Sequence, residues 1–353
     1  MLTNFTIRNY KSIKELALPD LKRINLLIGR NNAGKSNILE ALLLYATRFS
    51  YESIVQLNTQ NENKLLLALE NQFDFRKLVL PLVTNQSVNI LKRGIMLQSN
   101  QNKISLQNMK VRKIHHRNGE VSITCENFKE EDDSINGVPK IVYYTSRGGI
   151  RWRNIIHNSQ TQEITPCIYL NCSKKQIDDV NHLWSTIGLT DQKEELLKAL
   201  KLIDPDIQDV AMLYNSLIND YAPYVRIHNE IQPLYSMGDG ISHIFNVILS
   251  LLRVKNGILL LDELENGLHY KALKELWEII NRLSQELNVQ VFVTTHSHDC
   301  IKSYNEIVRE EGILYCISRK ENTLYKSFSY EEIDGFLAAN MEIRDSEVYP
   351  EED

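Results

Sequence analysis

The segment from Gly29 to Ser36 contains the residues of this sequence with the clearest chemistry. Its pattern, G-x-x-x-x-G-K-S, follows a short apolar run that predicts a buried strand and precedes spacing typical of a helix, which is the context of a phosphate-binding loop. Glycines allow successive backbone N–H groups to face a phosphate chain, and a helix start favours the same anion. Lys35 would place positive charge at the β- and γ-phosphates, and the Ser36 hydroxyl is a typical Mg²⁺ ligand. The pattern therefore predicts binding of a nucleoside triphosphate, with contacts from Gly29, Arg30, Asn31, Asn32, Ala33, Gly34, Lys35, Ser36 and Asn37.

Two adjacent carboxylates, Asp262 and Glu263, end an apolar run that follows Gly257. An apolar run without alternation is typical of a central parallel strand that is covered on both faces. At the carboxyl end of such a strand, Asp262 would reach the Mg²⁺ held by Ser36, and Glu263 would orient or deprotonate the attacking water. The alternative is a solvated strand end, although two carboxylates that close a buried strand need a partner charge.

A second apolar run, from Val289 to Thr295, ends at His296. If this strand lies beside the strand of Asp262, His296 lies near the γ-phosphate and senses whether that phosphate is present. The alternative is a histidine of the core or of the surface.

The segment Ser236-Met-Gly-Asp-Gly240 precedes an apolar helix predicted over residues 244–252. A Ser-x-Gly-x-Gly sequence at a helix start predicts a second anion-binding site, with Ser236, Gly238, Asp239 and Gly240 as its candidate residues. One nucleotide does not need two such sites from one chain, so this segment is predicted to complete the site of a second subunit. The alternative is an ordinary helix cap.

These segments resemble those of ABC-type ATPases, in particular the SMC- and OLD-like AAA-type ATPases of bacterial mobile-element and phage-defence loci. The resemblance rests on the four segments 29–36, 236–240, 261–269 and 294–297, and on the opening Phe5-Thr-Ile-Arg-Asn-Tyr-Lys-Ser-Ile. It implies ATP and Mg²⁺ as cofactors, and a homodimer or higher even oligomer in which the segment 236–240 acts on the nucleotide of the partner. For single residues it implies that Lys35 and Ser36 bind phosphate and Mg²⁺ and that Asp262 binds Mg²⁺. It also implies that Glu263 is the catalytic carboxylate and His296 the switch histidine. The loop that crosses the dimer axis would consist of Glu265, Asn266, Gly267, Leu268 and His269.

OLD nucleases carry a C-terminal TOPRIM domain, and residues 297–353 are too few for one. The remaining acidic clusters, Glu130 to Asp133 and the tail, occur in turn-like or terminal segments, which predicts solvated faces and not a nuclease centre. We therefore expect an ATPase that is not itself a nuclease and that regulates a separately encoded nuclease- or TOPRIM-like effector in antiphage defence. Two alternatives remain: a scaffold or sensor that ATP stabilises without hydrolysis, and an SMC-like DNA-binding ATPase of DNA repair.

Strands that end together are needed to bring these segments to one site. We expect an α/β P-loop NTPase head of the ABC type, with a mostly parallel central sheet, an antiparallel β lobe and a helical lobe. Strands are predicted over residues 2–8, 16–28, 141–145, 224–228 and 312–318. The predicted domains are the head over 1–48 and 141–320, with a helical lobe over 174–220, a helix and β-hairpin insert over 49–140, and a small helix with an acidic tail over 321–353.

The insert contains a dense group of basic residues between Lys103 and Arg117. Charge at this density can contact the phosphates of nucleic acid, and the candidates are Lys110, Arg112, Lys113 and Arg117. The alternative is the solvated face of a β-hairpin, because no interleaved aromatic residues offer base stacking.

Composition limits the remaining classes of protein. A chain of 353 residues with 43% hydrophobic and 24% charged residues is typical of a large globular protein, and its net charge of −5 excludes a polycation. No apolar run approaches about 18 residues and the N-terminus does not resemble a signal peptide, so we expect a cytoplasmic protein without a membrane segment. Five scattered cysteines predict reduced thiols.

Overall fold

The structure is a computed structural model that describes residues 1–48, 53, 57, 95–101, 103–115, 121–130, 142–146, 149–153, 165–172, 184, 185, 187, 190–216, 219–319, 323–339 and 343. The helices within these ranges are α1 (Lys35–Ala46), α2 (Gln192–Ile203), α3 (Asp239–Arg253), α4 (Tyr270–Glu286), α5 (His298–Val308) and α6 (Tyr330–Ala338), with short 3₁₀ helices at Leu234–Met237 and Arg309–Glu311. The strands are β1 (Phe5–Tyr10), β2 (Ile13–Leu18), β3 (Ile24–Ile28), β4 (Ile95–Ser99), β5 (Lys103–His115), β6 (Val121–Glu130), β7 (Val142–Ser146), β8 (Gly149–Arg153), β9 (Cys167–Asn171), β10 (Ile207–Asn215), β11 (Asp220–Ile227), β12 (Glu230–Pro233), β13 (Ile258–Asp262), β14 (Gln290–Thr294), β15 (Gly312–Arg319) and β16 (Thr323–Phe328).

The central sheet has the strand order β16-β15-β3-β14-β13-β9. The strands from β15 to β9 run parallel to their neighbours, and β16 pairs antiparallel with β15. Every residue of β3, β13 and β14 is buried. Burial on both faces explains the uninterrupted apolar sequence of these strands, and it confirms the predicted α/β fold with a mostly parallel sheet.

The two faces of the central sheet support two separate cores, because alternate residues of a strand point to opposite sides. Ile24, Leu26 and Ile28 belong to the core that contains α3, α4 and α5. Leu27 belongs to the core that contains α1 and the hairpin of β1 and β2. The strands are thus held from both sides, which fixes the position of their ends.

Parallel pairing brings the carboxyl ends of four strands to one edge of the sheet. Leu27 of β3 is paired with Thr294 of β14. Asp262 of β13 is paired with Asn171 of β9. The segments that follow these ends include the phosphate-binding loop, the two carboxylates and His296, so they converge at the edge where open parallel sheets bind ligands.

A second sheet, with the order β2-β1-β4-β5-β6, is antiparallel throughout. Strand β4 pairs with β1, so strands predicted to belong to the insert extend the sheet of the N-terminal hairpin. The domain boundaries themselves stay a prediction.

The helical lobe predicted over 174–220 is wrong in its second half. Among the described residues of this segment, α2 is followed by β10, which forms an antiparallel sheet with β11 and β12. Ile207 and Val210 are buried, and a shift of register lies between Ile207 and Asp209. This irregularity hides the two-residue alternation by which a strand is identified in a sequence.

Further differences concern individual strands. The strand expected over 16–28 is two strands, β2 and β3, which belong to different sheets. Strands β9 and β16 were not predicted, whereas the small helix expected within 321–353 is α6. The strand predicted at 141–145 corresponds to β7, which pairs with β8 in a hairpin separate from the central sheet.

The helices in the described ranges are all too short or too polar to cross a bilayer. The described cysteine side chains, Cys167, Cys172, Cys300 and Cys316, are free thiols.

Candidate active site

The phosphate-binding loop connects β3 to α1 and requires glycine at Gly29. A Cβ at this position would overlap the carbonyl oxygen of Ile317 in β15, and the φ of Gly29 is +139°. Gly34, at φ +103°, directly precedes α1. The loop therefore lies tightly against the central sheet and directs the start of α1 towards its carboxyl edge, as the sequence predicted.

Lys35 is 5% exposed and is held by the loop itself. Its Nζ donates to the carbonyl oxygens of Gly29, at 2.9 Å, and Arg30, at 3.1 Å. Burial lowers the pKa of Lys35 to about 8, and the nearby carboxylate of Asp262 opposes this shift. A triphosphate that enters the loop can replace the two carbonyl groups as the partner of this ammonium.

Ser36 and Asp262 meet at the edge of the sheet. The Ser36 Oγ donates to Oδ1 of Asp262 at 3.0 Å, and this carboxylate is 4% exposed. A hydroxyl and a carboxylate that converge beside a phosphate-binding loop form the oxygen donor set that Mg²⁺ prefers. The two residues therefore fit the predicted Mg²⁺ site.

Two further hydroxyl groups hold the Asp262 carboxylate, and neither was predicted from the sequence. Thr294 Oγ1 donates to Oδ1 at 2.6 Å, and the Tyr169 hydroxyl donates to Oδ2 at 3.0 Å. Burial raises the pKa of Tyr169, and the charges of Asp262 and Glu40 add to the shift, so this hydroxyl keeps its proton. Thr294 was visible as a hydroxyl at a strand end, whereas the role of Tyr169 depends on the unpredicted strand β9.

Glu263 directly follows β13 and has a φ of +58°. This left-handed conformation costs a non-glycine residue about 1–2 kcal/mol. Two hydrogen bonds hold it: the backbone N–H donates to Thr294 Oγ1 at 2.8 Å, and Oε2 accepts from Asn266 Nδ2 at 2.7 Å. The turn directs the side chain away from the strand and towards the phosphate-binding loop.

His296 follows β14 and lines the same cavity as the phosphate-binding loop. The cavity measures about 280 Å³ and brings seven of the nine predicted loop residues, Lys35 among them, together with Glu263 and His296, whereas Gly29 and Arg30 do not line it. Its lining consists of Asn31, Asn32, Ala33, Gly34, Lys35, Ser36, Asn37, Glu263 and His296.

The predicted dimer-axis loop, Glu265 to His269, has two different parts. Glu265 faces inward, and its carboxylate accepts from the Thr295 hydroxyl and from the backbone N–H of His296. Gly267 and His269 are exposed, and His269 caps the start of α4 by accepting from the backbone of Lys271. The inward role of Glu265 was not predicted. Asn266 lies beside Glu263, and Leu268 is partly buried.

The segment Ser236 to Gly240 lies outside the phosphate cavity of its own chain. Ser236, Gly238 and Asp239 are exposed at the junction of a 3₁₀ helix and α3. A separate groove of about 350 Å³ lies between this segment and the loop after β13, and Met237, Gly240, Gly267 and Leu268 contribute to its lining. The structure therefore separates the two predicted anion-binding segments within one chain.

The structure does not test the basic patch. Lys110, Arg112 and Lys113 belong to β5, and Arg117 lies outside the described residues. The acidic residues 131–133 and the acidic tail beyond residue 343 also lie outside the described ranges.

Two family models match the sequence. The model described as "AAA ATPase domain" matches residues 1–184 and therefore includes the phosphate-binding loop. The model described as "AAA domain, putative AbiEii toxin, Type IV TA system" matches residues 173–299 and includes Asp262, Glu263 and His296.

The chain is 25% identical over 363 residues to the ATP/GTP phosphatase of Helicobacter pylori (strain ATCC 700392 / 26695), with coverage of 94% of this chain and 96% of that protein. Among solved structures, it is 11% identical to the SMC head domain from Thermotoga maritima, with a TM-score of 0.45 and coverage of 93% of this chain and 99% of that one. It is also 11% identical to the Smc head domain with an extended coiled coil, bound to the C-terminal domain of ScpA, derived from Pyrococcus furiosus, with a TM-score of 0.47 and coverage of 96% and 99%. Because the first family model matches more than half of the residues, the chain belongs to the AAA ATPase domain family.

Proposed function

We propose that this protein is a Mg²⁺-dependent ATPase that dimerises around ATP and regulates a separately encoded effector. The observation that carries the proposal is the cavity in which Lys35 and Ser36 face Glu263 and His296. This arrangement places a phosphate-binding group, a candidate base and a candidate γ-phosphate sensor around one space. The name of the Helicobacter pylori relative, an ATP/GTP phosphatase, supports hydrolysis.

The proposed reaction is the in-line attack of water on the γ-phosphate. Glu263 orients the water and accepts its proton, and Lys35 and the start of α1 stabilise the negative charge of the transferred group. His296 contacts the γ-phosphate. Ser36 and Asp262 would hold Mg²⁺, which supplies positive charge at the β- and γ-phosphate oxygens when it is bound.

The substitution Glu263→Gln tests this mechanism, because it removes the base and keeps the size of the side chain and an acceptor for Asn266. We expect kcat for ATP hydrolysis to fall by about 100-fold or more, whereas the affinity for ATP changes by less than about threefold. Steady-state phosphate release and calorimetric ATP binding measure the two effects. Glu278→Gln, an exposed carboxylate on α4, is the matched control and should leave both unchanged.

Two results would contradict parts of the proposal. Hydrolysis by Glu263→Gln at the wild-type rate would show that Glu263 is not the base. ATP binding by the wild-type chain without turnover would favour the second reading, a scaffold that ATP stabilises.

The dimer is proposed because the phosphate cavity of one chain lacks the segment Ser236 to Gly240. Ser236 and Gly238 are exposed and so are accessible to a second copy. In the proposed dimer they contact the nucleotide of the partner, and residues 265–269 lie near the axis between the two copies.

The effector is proposed to be a separate polypeptide that acts in antiphage defence, and this chain is proposed not to be a nuclease. The name of one matching family model refers to a toxin system, which supports a defence role.

Affinity purification of the tagged chain from its native host should recover a nuclease- or TOPRIM-like partner. Nuclease or toxic activity of the purified chain alone, with no partner recovered, would contradict this proposal.

A further inference from the structure

We infer that Glu265 is a positioning residue that sets His296 against the γ-phosphate, and this inference rests on the proposed ATPase function. Both carboxylate oxygens of Glu265 are engaged by the segment that carries His296. Oε1 accepts from the backbone N–H of His296 at 2.6 Å, and Oε2 accepts from the Thr295 hydroxyl at 2.7 Å. Hydrogen bonds to an ionised acceptor are about twice as strong as neutral ones, so this contact is a firm attachment.

The attachment extends over three consecutive residues. The Thr295 hydroxyl donates to Glu265 and also accepts from the backbone N–H of Ser297 at 3.0 Å. Thr295 is fully buried, whereas His296 is half-buried and reaches the phosphate cavity. Glu265 therefore holds the backbone N–H of His296 directly, and through the Thr295 hydroxyl it supports the N–H of Ser297 on the other side of the His296 Cα.

Glu265 also connects His296 to the loop 265–269, because it is the first residue of that loop. Glu265 begins the loop 265–269, whose residues Gly267 and His269 are exposed and are proposed to face the second copy. A displacement of this loop would move the carboxylate that holds His296. The inferred role therefore links the surface proposed for dimerisation to recognition of the γ-phosphate in the same chain.

A merely structural role for Glu265 predicts a different result from a positioning role. If Glu265 only stabilises the loop, its removal lowers the midpoint of thermal unfolding and changes the affinities for ATP and ADP by the same factor. If it positions His296, its removal weakens ATP selectively, because ADP lacks the phosphate that His296 contacts. The ratio of the two dissociation constants separates the two roles.

The experiment measures ATP and ADP binding by calorimetry in the Glu263→Gln background, in which nucleotide is not consumed. We expect His296→Ala to remove the preference for ATP and Glu265→Ala to lower it by about tenfold. Glu265→Gln should retain part of the preference, because its amide oxygen still accepts from the His296 backbone. Glu278→Ala, an exposed position on α4, should leave the ratio unchanged.

Each outcome decides the inference. A wild-type ratio in Glu265→Ala, when His296→Ala has lost the preference, overturns the role of Glu265 and leaves the proposed function in place. Equal affinity of the parent for ATP and ADP overturns the proposed sensing by His296, and the inference with it. If Glu265→Ala does not fold, Glu265→Gln and Thr295→Val replace it, because Glu265→Gln exchanges one acceptor oxygen of the carboxylate for an amide and Thr295→Val removes the hydroxyl that donates to Oε2. An unchanged ratio in both variants would equally overturn the inference.

Discussion

At the scale of single residues, Lys35 combines burial with a partner that a ligand can replace. The residue is 5% exposed, and its ammonium donates hydrogen bonds to two backbone carbonyl groups of its own loop. Carbonyl groups stabilise the charge less than a phosphate does, so burial dominates and lowers the pKa of Lys35 to about 8. A bound triphosphate favours the protonated form, and ATP binding and protonation of Lys35 are therefore linked.

This linkage predicts the pH dependence of ATP affinity. Below about pH 8 Lys35 is already protonated and the affinity should be constant; above it, binding must take up a proton, so the affinity should fall by up to about tenfold per pH unit. Calorimetric titrations from about pH 7.5 to about pH 9.5 cover the range in which the phosphates of ATP stay ionised. Lys35→Ala, which lacks the titrating group, should bind weakly and equally across this range. An affinity of the wild-type chain that does not change up to pH 9.5 would contradict the assignment.

Tyr169 gives a second prediction at the residue scale. Its hydroxyl holds Oδ2 of Asp262, so Tyr169→Phe leaves this carboxylate less well oriented towards Ser36. Loss of such a supporting hydrogen bond typically weakens metal binding by about 10–100-fold. We therefore expect the Mg²⁺ concentration for half-maximal ATP binding to rise by about tenfold or more in a titration with a fluorescent ATP analogue. Tyr221→Phe, an exposed tyrosine of β11, is the control, and identical Mg²⁺ curves for the three proteins would refute the role.

The residues that the sequence predicted and those that it missed differ in a physical respect. Lys35 and Ser36 belong to a motif in which the spacing of the residues predicts where their side chains lie. Glu263 and His296 were predictable because they directly follow apolar runs. Tyr169, by contrast, reaches Asp262 only because β9 pairs with β13 in a particular register. Such contacts depend on which strands are neighbours, and spacing along one sequence does not contain that information.

The same distinction holds at the scale of elements. The fully buried strands β3, β13 and β14 were predictable, because burial on both faces leaves an uninterrupted apolar run. Among the strands missed or misassigned, β9, β10 and β16 lie at a sheet edge or contain an irregular register. Their residues are only partly buried, and so their sequences carry a weaker pattern.

The tip of the hairpin formed by β1 and β2 is attached to α1, the helix that begins at Lys35. Three consecutive residues make this attachment. Lys11 Nζ lies 2.5 Å from Glu40 Oε2, and the Tyr10 hydroxyl donates to the same oxygen at 3.1 Å. The third contact joins Asn37 Nδ2 of α1 to Ser12 Oγ at 2.7 Å. The second sheet is thereby connected directly to the first two turns of the phosphate-binding helix.

This attachment predicts a measurable coupling between Lys11 and Glu40. The side chains are 23% and 14% exposed, so removal of one leaves the other charge largely desolvated. We expect Lys11→Met and Glu40→Gln each to lower the free energy of unfolding by about 1–3 kcal/mol, and the double variant to lose at least about 1 kcal/mol less than their sum. Urea denaturation of the four proteins gives the coupling energy.

An exposed pair for comparison joins the two strands of the same hairpin. Arg8 and Glu15 are 2.6 Å apart but are 46% and 62% exposed. Solvent screens such pairs, and their coupling should stay below about 1 kcal/mol. Equal coupling energies for the two pairs would mean that burial does not strengthen the contact between the hairpin tip and α1.

At the scale of the whole molecule, the phosphate cavity and the segment Ser236 to Gly240, which is proposed to complete the cavity of a second copy, lie apart in one chain. Lys35, Glu263 and His296 line the phosphate cavity. Met237 and Gly240, which belong to the segment Ser236 to Gly240, line the separate groove of about 350 Å³. A dimer with two-fold symmetry presents the same pair of surfaces twice, so one arrangement can complete both sites together. The proposal that ATP lies between two copies rests on this symmetry.

Mixing of inactive variants tests whether the site is shared. In the proposed dimer, Lys35→Ala disables the cavity of its own chain, and Ser236→Arg disables the cavity of its partner, so neither homodimer should hydrolyse ATP. A mixed dimer retains one competent site, formed by Lys35 of one chain and Ser236 of the other. Random exchange makes half of the dimers mixed, each with one site of two, so an equal mixture should reach about a quarter of the wild-type rate.

A mixture of Lys35→Ala and Glu263→Gln should stay inactive, because both residues belong to the same half of the site. Light scattering shows whether Lys35→Ala and Ser236→Arg form dimers and exchange subunits. If they do, and their mixture remains as inactive as each variant alone, the nucleotide is not bound between two copies of this chain.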